Sequence, residues 1–265
     1  MRWLKIIISP AKKMVEDCES IAAPTKPSLI SEARKVGDFV RTLSFADQTA
    51  LWGCNEKIAE LNAERFRTME FDNGKTPAIL AYEGIQYQYM APAVFEDGEF
   101  DYVQENVRIL SALYGVLRPL DGISPYRLEM QAKAKVNGCR DLYEFWGEKL
   151  YKEILDESRI IINLASKEYS KCIEKFLQPE DRFITCVFGE KEITSQSDSN
   201  GCGDCRIVQK GVYAKMARGE MVRFLASVKA KSPEDLKAFN SLGYVFDKGL
   251  STDDKYIFIK QSQVM

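Results

Sequence analysis

Not one of the 265 residues is histidine. Histidine is the usual general base near neutral pH and the commonest transition-metal ligand. Its absence excludes a Ser-His-Asp hydrolase, an HExxH protease and a histidine-ligated iron site. Any catalysis must run on carboxylates, lysine, tyrosine, cysteine or a bound metal. Long apolar runs are missing too. The run WLKIIIS, residues 3–9, is interrupted by Lys5 and falls far short of the roughly 18 residues of a membrane span. Neither a signal peptide nor a membrane partner is expected, and the chain is expected in the cytoplasm. An excess of one charge is also lacking, because 37 Lys and Arg face 39 Asp and Glu for a formal net charge of −2. No global field draws the protein to nucleic acid, so a polyanion site must be a local patch.

What is present is ordinary globular material, with 45% hydrophobic and 29% charged residues. The length suffices to bury a sizeable core as one large domain or two closely packed ones. The seven cysteines (18, 54, 139, 172, 186, 202 and 205) form an odd, scattered set. They are expected to be thiols packed as small apolar residues in a reducing compartment. CGDC, residues 202–205, is a lone CxxC in a polar loop. It supplies two of the four thiolates of a structural zinc site and does not open a helix as redox pairs do.

Apolar periodicity predicts the elements. Residues 3–9, 77–82 and 159–166 read as strands, as do RFITCVF and CRIVQ across a polar loop. Helical spacing marks 28–43, 55–71, about 100–113, 141–155 and 211–230. Asn55 is the expected N-cap of the second of these, with Ile58, Leu61, Phe66 and Met69 on its apolar side. YVF and YIFIK close the chain as paired strands. Without regular β-α alternation the fold reads as α+β, or a mixed α/β arrangement.

RILSALYGVLRPLDGISPYRLEM, residues 108–130, carries L-x-x-L-x-G-V, the pattern of a helix-hairpin-helix. Such a hairpin aims unpaired backbone N–H groups at a phosphate. Gly115 would sit in the turn and Arg118 within reach, with Arg108 and Arg127 flanking it. A plain helix C-cap at Gly115 explains the same letters. ISPAK places Ser9 and Lys12 at the end of the first strand, and INLAS places Asn163 and Ser166 at the end of another. Strand ends in open sheets carry ligands, although a turn and a helix cap account for both serines. If those strands are neighbours, their polar ends converge on one pocket. Lys215 and Arg218 share a helix face, as a solvated stripe or as a binding one, and Gly219 beside them marks a close backbone approach. The tyrosines of YEGIQYQYM could stack on bases or simply pack a strand.

Taken together, ISPAK, NAERF (62–66), AYEGIQY (81–87), LSALYGVLRPLD through SPYRLEM (110–130), DLYEFWG (141–147), INLASKEY (162–169), YAKMARG (213–219) and FNSLGYVFD (239–247) resemble the YaaA family of bacterial peroxide-stress proteins. The resemblance spans nearly the whole chain. It implies a single domain over 1–265, a central mixed sheet, a basic cleft and a helix-hairpin-helix-like element. It also implies DNA binding through backbone contacts, to duplex or branched forms, and a role in limiting free intracellular iron. On that basis Ser9, Lys12, Tyr114, Gly115, Arg118, Arg127, Asn163, Ser166, Lys215 and Arg218 are the expected phosphate-binding residues. No cofactor or resident metal is expected. Two features depart from the family pattern: the SDSNGCGDC loop, and Met216 where the family carries a second lysine. A competing reading is an enzyme for a nucleobase, nucleotide or other small polar substrate, with Lys12, Tyr114 or Glu129 as acid or base. Iron handling by the scattered thiols is a third.

Overall fold

The computed structural model describes residues 4–17, 21–193 and 205–261. Its frame is one eight-stranded sheet. The strands are β1 (Lys5–Ile8), β2 (Val107–Ser111), β3 (Gly115–Leu117), β4 (Ile160–Leu164), β5 (Arg182–Ile193), β6 (Cys205–Val208), β7 (Tyr244–Phe246) and β8 (Lys255–Lys260). Their order is β7-β8-β5-β4-β1-β2-β3, with β6 paired to β5. The central five, β8, β5, β4, β1 and β2, run parallel, while β7, β3 and β6 pair antiparallel. This is a mixed α/β fold, and the antiparallel pairs explain why the sequence shows no steady alternation.

Central strands are covered on both faces, so they are apolar throughout. Ile6, Ile7 and Ile8 of β1 are fully buried, each worth about 1.5–3 kcal/mol relative to exposure. Lys5 shares that burial because Asp156 lies 3.2 Å and Glu105 3.6 Å from its ammonium. β1 pairs with β2 on one side and β4 on the other, with Ile8 opposite both Ile109 and Leu164. The chain thus leaves β1 in one direction and later returns to its other flank. Such a reversal opens a crevice beyond the carboxyl ends of the strands.

Seven helices matter below: α1 (Ile30–Thr42), α2 (Phe45–Trp52), α3 (Glu56–Thr68), α4 (Ile85–Met90), α5 (Asp97–Asn106), α6 (Lys167–Glu174) and α7 (Gly211–Ser227). Asn55 caps α3 by accepting the Ile58 N–H. The inward face of α3 is Ala59, Asn62 and Phe66, while Ile58 and Leu61 face solvent, contrary to the apolar stripe expected there. Residues 77–82, expected as a strand, hold a one-turn helix at Ala78–Ala81 instead. The expected helix at 141–155 is two, Leu142–Trp146 and Lys149–Ile154, broken at Gly147 with φ +50°. The glycine breaks it because it alone adopts that backbone cheaply.

The largest correction falls on residues 100–117. Helix α5 stops at Asn106, and 107–111 are a fully buried strand, not a helix leading into a hairpin of helices. Val107, Ile109, Leu110 and Ser111 need a partner on both faces of a sheet, and β1 and β3 supply hydrogen bonds on both edges. LSALYGVL is therefore a tight β-hairpin, with Ser111 opposite Gly115. Its groups are already engaged. Tyr114 N–H donates to Ser111 Oγ at 2.9 Å, and the Trp146 indole donates to the Ala112 carbonyl at 3.0 Å. Gly115 has φ +78°, and a β-carbon there would come 2.8 Å from the Trp146 ring. It is a glycine of packing and turn geometry.

Candidate functional site

Two strand ends meet first. Ser9 follows β1 and Ser166 follows β4, and the Ser166 backbone N–H donates to Ser9 Oγ at 2.8 Å. The two hydroxyl oxygens lie 3.2 Å apart, and the Tyr87 hydroxyl donates to the Ser9 carbonyl at 3.0 Å. Above them opens a cleft of about 410 Å³. Its walls come from the segment after β1, from α4, from residues 126–129, from the first turn of α6 and from α7. Helices α4 and α7 can wall it together because Gly219 lets them touch. A β-carbon at Gly219 would lie 2.1 Å from the Gln86 carbonyl oxygen and 2.8 Å from the Met90 nitrogen. The glycine marks a helix crossing, so the close approach expected there is to protein.

The cleft holds Lys12, Lys13, Arg127, Lys215 and Arg218 against Glu83, Glu129 and Glu168. Lys12 pairs with Glu129 at 2.9 Å and Lys13 with Glu83 at 2.7 Å, and Arg127 lies 3.6 Å from Glu129. Lys215 is exposed at the mouth and makes no ion pair among the described residues. Arg218 differs from all of them. Burial pulls its guanidinium below the ordinary arginine range, yet arginine stays charged in proteins. Its Nε is buried without a hydrogen-bond partner, and no carboxylate among the described residues pairs with it. The neighbouring Cys186 thiol gives no counter-charge, since burial pushes it up to about 12. Gln86 Nε2 is a second buried donor without a partner on the same cleft. Two orphan donors, one of them cationic, define a place for an acceptor of negative charge.

The acids and phenols are set by burial. Burial first, then the negative Glu129 beside it, raises the Glu168 carboxyl above the usual range, although the Gln131 N–H bonds to Glu168 at 3.3 Å. Burial raises Tyr126 to about 12 and Tyr87 well above its ordinary value, so both stay neutral hydroxyls. Tyr126 shares hydrogen bonds with Tyr82 at 2.9 Å and Ser111 at 2.7 Å.

Of the ten residues singled out in the sequence, six line this cleft: Ser9, Lys12, Arg127, Ser166, Lys215 and Arg218. Asn163 does not reach it. It lines an adjoining cleft that shares Arg218, and its amide is occupied, donating to Thr185 and accepting the Ala165 N–H. Tyr114 is buried in the hairpin, where its oxygen accepts the Ser124 N–H at 3.2 Å. Gly115 is walled in by Trp146 and Leu29. Arg118 clasps Asp121 at 3.2 Å, closing its own turn, so it brings no free charge to the cleft. None of these three hairpin residues lines the cleft. Among cysteines, 54 and 139 are partly buried thiols and 172 and 186 buried ones. The Cys202–Cys205 pair lies outside the described side chains. Among the described residues no group of three or more His, Cys, Asp or Glu is placed to hold a metal ion, and no helix is long and apolar enough to cross a membrane.

Sequence reasoning missed Gln86 and Glu168. Gln86 lies among the tyrosines of AYEGIQY, and Glu168 comes two residues after Ser166 in INLASKEY. Neither type is distinctive in a sequence; only convergence makes them so.

Known proteins agree with the resemblance. The family model described as peroxide stress protein YaaA matches residues 4–250. A UPF0246 protein of Agathobacter rectalis is 52% identical over 255 residues, covering 96% of this chain and 98% of the relative. A UPF0246 protein of Desulfitobacterium hafniense is 47% identical over 257 residues, with 97% and 98% covered, and one of Lachnoclostridium phytofermentans is 46% identical over 257 residues, with 97% and 96% covered. The chain belongs to the peroxide stress protein YaaA family, whose curated relatives carry the UPF0246 name.

Proposed function

We infer that this protein acts in peroxide stress by binding a small anionic molecule in the cleft beyond β1 and β4. One observation carries the reading: Arg218 is a half-buried cation whose Nε is fully buried without a hydrogen-bond partner, and no carboxylate among the described residues pairs with it. A partly desolvated charge left unpaired costs stability, and a ligand anion offsets that cost. Lys215 at the mouth adds a second charge, and the Gln86 amide a second donor. A volume of about 410 Å³ suits a nucleotide or sugar phosphate. Calorimetric titration with ribose 5-phosphate tests this. Binding is expected for the parent protein and is expected to fall at least tenfold in Arg218→Met, and no binding by the parent ends the reading.

DNA binding and a limit on free iron, which the family resemblance implies, are a second reading. Exposed Lys215 and the 64% exposed Lys12 side chain favour it, since both stand at the rim where a backbone phosphate could pass. Its support no longer includes the hairpin. Electrophoretic shifts with duplex and branched DNA over a salt series test it, and affinity indifferent to salt would refute it.

A further inference from the structure

Two of the cleft's three acids take no part in the anion site, while the third, Glu83, is paired with Lys13. Glu129 and Glu168 both line it. Glu129 is ion-paired to Lys12 and Arg127, while Glu168 is half-buried against it in the first turn of α6. Two carboxyl groups in unlike surroundings divide the proton-holding role from the charge-bearing one. Carboxylates repel a phosphate, so the bond they act on is set apart from the anion. A carboxyl pair suits a bond whose rupture leaves positive charge on carbon, as at an anomeric centre. Pro10, Ala11, Ile85 and Leu128 give the cleft an apolar wall for an uncharged leaving group.

We propose that the cleft hydrolyses the glycosidic bond of a phosphorylated glycoside, with Arg218 and Lys215 on the phosphate, Glu168 as general acid and Glu129 as general base. This rests on the anion-cleft reading above. Water adds to the anomeric carbon and forms a C–O bond while Glu129 takes one water proton. The anomeric C–N or C–O bond breaks, and its electron pair leaves with the nitrogen or oxygen, which takes the Glu168 proton. A sugar phosphate and a free base or alcohol result, with no change of oxidation state. Glu168 then regains a proton from solvent as Glu129 returns one. The raised Glu168 carboxyl agrees with the assignment, since an acid must still hold its proton near the working pH.

The test has two arms that separate the leaving groups. One offers the nucleoside 5′-monophosphates and reads free base by chromatography. The other offers p-nitrophenyl ribofuranoside 5-phosphate and reads nitrophenol. Release is expected in at least one arm, falling on an acid-requiring limb as pH rises. Glu168→Gln is expected to lower it about 10²–10⁴-fold while ribose 5-phosphate binding persists. If the parent binds ribose 5-phosphate but releases nothing, the hydrolytic proposal falls and the anion cleft stands. Release unaltered by Glu168→Gln also overturns it, and absence of both binding and release removes both readings. Should Glu168→Gln fail to fold by circular dichroism, Glu168→Asp takes its place, with partial loss of rate and a displaced acid limb expected, and an unchanged rate and limb overturning the assignment.

Discussion

Arg218 carries its charge whether or not a ligand is present, and that makes it a liability to the empty protein. Replacing it with methionine keeps most of the packing volume and removes the uncompensated cation. Arg218→Met is therefore expected to raise stability by about 1 kcal/mol or more, read as a shift in the urea midpoint, while anion binding is lost. A gain in stability together with a loss of binding is the signature of a residue kept for a ligand. Glu168 makes a matching statement about pH. Its carboxyl is raised in the folded protein, so the native state holds this proton more tightly than the unfolded chain does. Stability from this group is then lost as pH rises from the unfolded carboxylate range through the higher folded value. Glu168→Gln abolishes that dependence, and its melting temperature relative to the parent is expected to climb between pH 4 and pH 7. An unchanging difference would contradict the shift. Gly115 separates the two accounts of the hairpin. Gly115→Ala sets a β-carbon 2.8 Å from Trp146 at φ +78°, and about 1–3 kcal/mol of destabilisation is expected. A clamp glycine would instead lose ligand with stability intact.

At the scale of elements, the site depends on how α4 and α7 cross. Gln86 and Arg218 reach one cleft because their helices meet backbone to backbone at Gly219. Gly219→Val drives a branched side chain into the Gln86 carbonyl. A loss of at least about 1–3 kcal/mol is expected from overpacking, and ribose 5-phosphate binding should weaken with it as the two donors separate. Thermal melting and calorimetry on the same samples check both. The hairpin shows how a short motif misleads at this scale. Leu110 and Leu113 have helical spacing, but Leu110 belongs to a strand whose neighbours β1 and β3 lie roughly 100 residues before it and a few residues after it. Local spacing records nothing of the distant partner, and the pull of a buried sheet position outweighs intrinsic helix preference. Boundaries set by local chemistry were legible: Asn55 caps α3 as its side chain predicts, and β5 and β6 pair across the polar loop.

For the whole molecule, a formal charge of −2 means that any hold on nucleic acid is local. If DNA binds at the cleft rim, Lys12, Lys215 and Arg218 neutralise about three phosphates at most. The slope of log affinity against log salt should then be no steeper than about −3. A much steeper slope would place the contacts elsewhere on the surface. The sequence by itself determined the family, the mixed α/β character, the exclusion of histidine chemistry and the strand-end serines, because these rest on composition, local pattern and letters in order. Tertiary structure alone decided which cations stay unpaired. Arg118 and Arg218 look alike along the chain, yet one is closed against Asp121 and the other stands half-buried beside a neutral thiol. The physical reason is that a charge acquires its energy from what folding brings within a few ångströms of it, and those neighbours come from segments far apart in the chain.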